Sequence, residues 1–176
     1  MPEDDRVYPL EHLMVRRVSA PTEMGHGTSY PSFCVIAQGS KDIRLGERSY
    51  RYDPARYLVV SASLPIATRV VEASPDRPLL GVVLTLDPAL VSSVMAEAGT
   101  TASRSAASVT AIEVSTLPVD LLDAVVRLVR LADSPFDARM LATPTVREIV
   151  YRLLQGDQGV RLRQIAAIGG EGNRMA

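Results

Sequence analysis

Between residues 30 and 86, short apolar runs are punctuated by polar, turn-forming positions, the pattern of strands. The runs are 33–38, 42–45, 48–52, 57–63, 66–73 and 79–86, and they are rich in β-branched and aromatic residues. Turn formers separate them: Gly39-Ser40-Lys41, Gly46-Glu47, Asp53-Pro54, Leu64-Pro65 and Ser74-Pro75-Asp76. Gly46-Glu47 suits a two-residue hairpin turn with a positive φ at the glycine. Six short runs at this spacing predict an antiparallel sandwich or barrel rather than a βαβ layout.

After residue 86 the period becomes helical. Asp87 can cap free amides and Pro88 fits the first helical position, so a helix is expected over 88–98, stopped by Gly99. Residues 100–116 are rich in Thr, Ser and Ala and read as a surface loop with a short strand at 109–114. Pro118 opens a second helix, on which Leu121, Leu122, Val125, Leu128 and Val129 recur at helical spacing. Asp133-Ser134-Pro135 is expected to end it. Thr143-Pro144 is expected to open a third helix, with Val146, Ile149, Val150, Leu153 and Leu154 on one face. A short fourth helix follows over 160–168. Residues 1–29 read as an irregular arm with room for one short strand, 14–18.

The chain has 176 residues, 47% apolar and 22% charged, which excludes wholesale disorder and predicts one domain with, at most, a small helical appendage. The net charge of −1 lacks the basic excess of a nucleic-acid-gripping fold. No apolar run approaches the roughly 20 residues of a membrane span. The acidic start Glu3-Asp4-Asp5 is unlike a signal peptide. A lone Cys34 rules out an intrachain disulfide and favours a reducing compartment. A cytoplasmic protein without membrane attachment is expected.

Few residues carry recognisable chemistry. The two histidines, His12 and His26, lie before the sheet and form no His-x-His pair, so no metal site is expected. Cys34, inside the apolar run 33–36, reads as a buried, inert thiol. No nucleophile elbow or phosphate loop is present, and no cofactor is implied. Tyr50 and Tyr52 share one strand face, and Tyr57, Val59 and Ser61 share another. Such a mixture either lines a small-molecule pocket or fills the interior. Gln38, ending an apolar strand, either contacts a ligand or ties down the Gly39 turn.

The string Tyr30-Pro31-Ser32-Phe33-Cys34-Val35-Ile36-Ala37-Gln38-Gly39-Ser40-Lys41 resembles the N-terminal domain of arabinose-regulator-type (AraC) bacterial transcription factors. The resemblance continues through Tyr50-Arg51-Tyr52-Asp53-Pro54, Glu72-Ala73-Ser74-Pro75 and Arg147-Glu148-Ile149-Val150-Tyr151-Arg152. It covers roughly residues 10–170. It implies a mainly β fold with α: a cupin-like antiparallel β-barrel of the double-stranded β-helix type, followed by a C-terminal helical bundle. The domains expected are an arm (1–29), a barrel sensor with one helix (30–116), and a helical dimerisation region (117–168). Residues 169–176 would begin a linker.

The implied function is that of a sensor and dimerisation domain, not an enzyme, binding a small-molecule effector. The candidate ligand-binding residues are Cys34, Gln38, Tyr50, Tyr52, Tyr57, Val59 and Ser61. The candidate homodimer interface is Leu121, Leu122, Val125, Leu128 and Val129. DNA would be met only through a helix-turn-helix domain, which the resemblance places after residue 169. A stand-alone non-metal cupin-like enzyme and a ligand-free dimerisation module are the alternatives.

Overall fold

The computed structural model describes residues 4–100 and 109–172. The chain divides into two compact units: residues 1–85 with 111–117, and residues 86–110 with 118–176. Residues 101–108 of the segment read as a surface loop lie outside the described residues, as do residues 1–3 and the tail, 173–176.

Among the described residues the first unit holds ten strands: β1 Asp4–Leu10, β2 Leu13–Val18, β3 Gly25–Thr28, β4 Ser32–Gln38, β5 Ser40–Leu45, β6 Arg48–Tyr52, β7 Arg56–Val60, β8 Pro65–Glu72, β9 Leu79–Thr85 and β10 Ile112–Thr116. They form a six-stranded sheet, β1-β2-β9-β4-β7-β10, and a four-stranded sheet, β3-β8-β5-β6. Every ladder is antiparallel. One apolar cluster joins the sheets, with Ile43, Tyr52 and Val70 from the smaller and Val18, Cys34, Leu58, Val60 and Leu79 from the larger.

This overturns the expected closed barrel. Among the described residues no ladder joins the edge strands β1 or β10 to β3 or β6, so the architecture is mixed α/β with two separate antiparallel sheets. The crossing points explain why. β6 leaves for the other sheet through a tight turn, in which the amide of Ala55 donates to Asp53 Oδ1 (3.0 Å) and that of Arg56 to Asp53 O (3.0 Å). β4 leaves through Gly39, at φ +86°, just after a register shift between Ile36 and Gln38. A Cβ at Gly39 would lie 2.4 Å from Glu72 O, so only glycine fits that corner. These corners move the strand to the opposite sheet instead of continuing one ladder around.

The segment read as an irregular arm forms β1, β2 and β3. The expected strand at 14–18 is β2, and β1 folds back on it through Glu11-His12, where His12 takes a φ of +64°. The predicted Gly46-Glu47 hairpin is present, with Gly46 at φ +59° between the paired Leu45 and Arg48.

The second unit holds the helical bundle: α1 Pro88–Glu97, α2 Val119–Arg130, α3 Pro135–Gln155 and α4 Gly159–Gly172. Asp87 caps α1, its Oδ1 accepting from the Ala89 amide at 3.0 Å, and Gly99 follows at φ +68°. The third helix begins at Pro135, eight residues before the expected start. Proline suits the first turn, and Ser134 Oγ donates to Asp137 Oδ2 at 2.8 Å. Pro144, expected to open the helix, lies inside it and removes one backbone bond. One turn back, Leu141 O accepts from Thr145 Oγ1 at 2.7 Å. Leu121, Val125, Leu128, Ile149 and Leu153 are buried in this unit.

Candidate ligand cavity

Between the two sheets lies a cavity of about 500 Å³. The ladders set its walls in rows. Leu58, Cys34, Val83 and Met14 are consecutive cross-strand partners on β7, β4, β9 and β2, and all four line the space. On the opposite sheet, Tyr52, Lys41 and Val70 form a row across β6, β5 and β8, and all three line it too. Strand alternation turns the neighbour Asp42 away from this row, where it meets Arg51 (2.7 Å) and Arg69 (2.9 Å).

Among the described residues, four basic side chains, Arg6, Arg16, Lys41 and Arg69, line the cavity with one carboxylate, Glu23. Arg16 Nε and Nη2 donate to the two oxygens of Asp4, at 2.7 and 2.8 Å, and Arg6 Nη2 donates to the same carboxylate at 3.0 Å. Burial raises the Asp4 pKa, but its hydrogen bonds to Arg16 and Arg6 outweigh that and hold it below the usual carboxylate range. Lys41 has no hydrogen bond or ion pair among the described residues. Burial, reinforced by the positive charge of Arg16, pulls its pKa down to about 8. Glu23 and His26 also border the cavity, but both are exposed.

The proposed ligand residues divide. Cys34 and Tyr52 line the cavity. Cys34 is buried, and burial pushes its thiol pKa up, which leaves it a poor nucleophile near neutral pH. Tyr52 is buried as well, and burial raises its phenol well above the ordinary value. Tyr57 and Val59 are buried without lining the cavity; Tyr57 meets Phe33 edge to face at 5.7 Å. Tyr50 packs on the edge of the core cluster. Gln38 Nε2 donates to Pro78 O at 2.7 Å, and Ser61 Oγ donates to Ala111 O at 3.3 Å, so both fasten backbone. On α2, Leu121, Val125 and Leu128 are buried, Val129 is half-buried and Leu122 is exposed.

Lys41, Arg16 and Arg6 were not singled out from the sequence. The signal for Lys41 was its alternation with Ile43 and Leu45, which extends the expected strand by two residues. Arg6 and Arg16 lay in the supposed arm.

Over residues 9–161 the sequence matches the family model of the AraC-type transcriptional regulator N-terminus. The chain belongs to that family. AraC-type N-terminal domains are regulatory rather than catalytic. Among the described residues, no three His, Cys, Asp or Glu side chains converge as a metal site would need, and no helix is long and apolar enough to cross a membrane. Two solved structures share the fold. The AraC-like transcriptional activator CuxR aligns at a TM-score of 0.55 and 13% identity, over 98% of this chain and 65% of its own. Apo ToxT from Vibrio cholerae aligns at 0.53 and 7% identity, over 82% of this chain and 55% of its own. The chain thus spans between about half and two thirds of the length of these AraC-type structures. No curated protein sequence matches it.

Proposed function

We propose that this chain is the sensor and dimerisation part of a transcriptional regulator, and that its effector sits between the two sheets. The observation that carries this reading is the cavity of about 500 Å³ in a chain of the AraC-type family. That volume lies within the roughly 300–1,000 Å³ of small-molecule sites. Its lining joins an apolar floor (Ile43, Leu58, Val60, Val83) to a few polar groups able to orient a ligand. Of the residues named from sequence, Cys34 and Tyr52 are the ones proposed to touch it. An effector acts as a switch only if it binds one arrangement of the domain better than another.

The dimer surface belongs to the exposed side of α2. Val119, Leu122 and Val126 recur there at helical spacing and are 84%, 40% and 36% exposed.

The experiment is a thermal-denaturation screen of the purified chain against a metabolite library. A ligand at a hundred times its Kd stabilises the folded state by about 2.7 kcal/mol. A saturable shift that is abolished by filling the cavity with Val60→Trp supports the reading. A shift unaffected by that substitution contradicts it.

A further inference from the structure

We propose that the cavity recognises a small amphipathic carboxylate, its charge held by Lys41 and Tyr52 and its apolar part laid on Leu58, Val60 and Val83. This rests on the reading of the cavity as the effector site, and adds the chemical class of the effector.

Three observations carry it. First, four cations, Arg6, Arg16, Lys41 and Arg69, line the cavity; Asp4 pairs with Arg6 and Arg16, and Asp42 pairs with Arg69. Asp4 is fully engaged by the two arginines, so the ammonium of Lys41 is left without a counter-charge among the described residues. A cation drawn out of water needs a partner or a site that supplies one. Second, the carboxylates close to Lys41 in the fold are unavailable to it. Asp42, next in sequence, points to the other face and is held by Arg51 and Arg69. Glu23 borders the cavity but is exposed, and it makes no ion pair among the described residues. Third, Tyr52 stands directly opposite Lys41 in the β5–β6 ladder, and its hydroxyl has no hydrogen bond among the described residues. An ammonium and a phenol from paired positions on one cavity wall offer donors to the two oxygens of one carboxylate.

The rest of the lining argues against a more highly charged ligand. The row beside Lys41 continues into Val70, and the facing row is Leu58, Cys34, Val83 and Met14. Those side chains hold no second unpaired cation for a phosphate dianion. They would accept the hydrocarbon body of a monocarboxylate.

The test uses matched pairs of probes: octanoate with octanamide, benzoate with benzamide, and cyclohexanecarboxylate with its carboxamide. Each is titrated calorimetrically into the whole 176-residue chain at pH 7. The proposal predicts that at least one carboxylate binds tenfold or more tightly than its amide. It predicts that Lys41→Met removes that preference while Lys41→Arg keeps it, and that Tyr52→Phe weakens the carboxylate more than the amide. Equal binding of acid and amide, or a preference that survives Lys41→Met, overturns the carboxylate assignment and leaves the cavity reading standing. Absence of binding by every carboxylate overturns the assignment as well. The cavity reading itself falls only if the metabolite screen also yields no cavity-dependent shift.

Discussion

Lys41 and Tyr52 stand opposite each other across β5 and β6, and both side chains line the cavity between the sheets. The placement has a consequence for stability that needs no ligand. The folded pKa of Lys41 is about 8, against an ordinary 10.5, because burial and the nearby Arg16 disfavour the charged form. Arg6 adds to this, while Asp4 and Cys34 act the other way. Between these two pH values the unfolded chain binds more protons at this site than the folded one. Stability should therefore rise from pH 8 to 10.5 by a contribution that Lys41→Met lacks. Below pH 8 the variant should be the more stable protein. Urea denaturation of both at pH 7, 9 and 10.5 checks this; parallel pH profiles would contradict it.

Asp42 works in the opposite direction. Hydrogen bonds from Arg51, and then Arg69, hold its pKa below the usual value. Its contribution is complete above the unfolded carboxylate pKa and is lost as the pH falls through the folded one. Asp42→Asn should destabilise at pH 7 by about 1 kcal/mol, since both arginines are half exposed. The difference from wild type should vanish near pH 2. A difference that persists there would mean that packing, not charge, is responsible.

Gly39 is expected to tolerate no side chain. Its left-handed backbone costs an L-residue about 1–2 kcal/mol, and a Cβ would also press on Glu72 O. Gly39→Ala should lower Tm by several degrees. Gly81→Ala is the comparison, because the nearest atom to its Cβ would be 3.8 Å away. It should stay within about 0.5 kcal/mol of wild type.

Adjacent leucines on α2 should behave differently. Leu121 is buried and Leu122 is 40% exposed. Leu121→Ala should cost about 2–5 kcal/mol. Leu122→Glu should leave the fold intact and, if that side of α2 joins two copies, halve the mass seen by light scattering. A dimer unaffected by Leu122→Glu together with Val126→Glu would place the interface elsewhere.

The strands from 33 to 85 were legible because each is a short run rich in β-branched and aromatic residues that ends in turn chemistry the structure uses, as at Gly46. Periodicity allowed a sandwich as well as a barrel. The resemblance pointed to the barrel, and the corners at Gly39 and Asp53, which send the chain between sheets, decided against it. β1 was hidden because Asp4, Asp5 and Arg6 look like solvated charges, yet Asp4 is the hub of the Arg6–Arg16 cluster. Pro144 was read as a helix start, the commonest position for proline, and nothing local announces that the turn before it is already helical. The α2 stripe was visible, but spacing alone cannot distinguish a residue packed within its own unit, such as Leu121, from one facing a partner. Tyr52 was named from strand alternation and Cys34 with the effector that the resemblance implies, and both line the cavity. Lys41 was taken as turn punctuation, although its alternation with Ile43 carried the signal that the ladder and the cavity lining bear out.

The most direct test of the central claim is a ¹H–¹⁵N spectrum of the chain, recorded with the strongest stabilising compound from the screen. The account predicts saturable shifts concentrated at Lys41, Tyr52, Leu58, Val60 and Val83, and their loss in Val60→Trp. Shifts confined to the helices of the second unit, with the cavity strands unmoved, would contradict it.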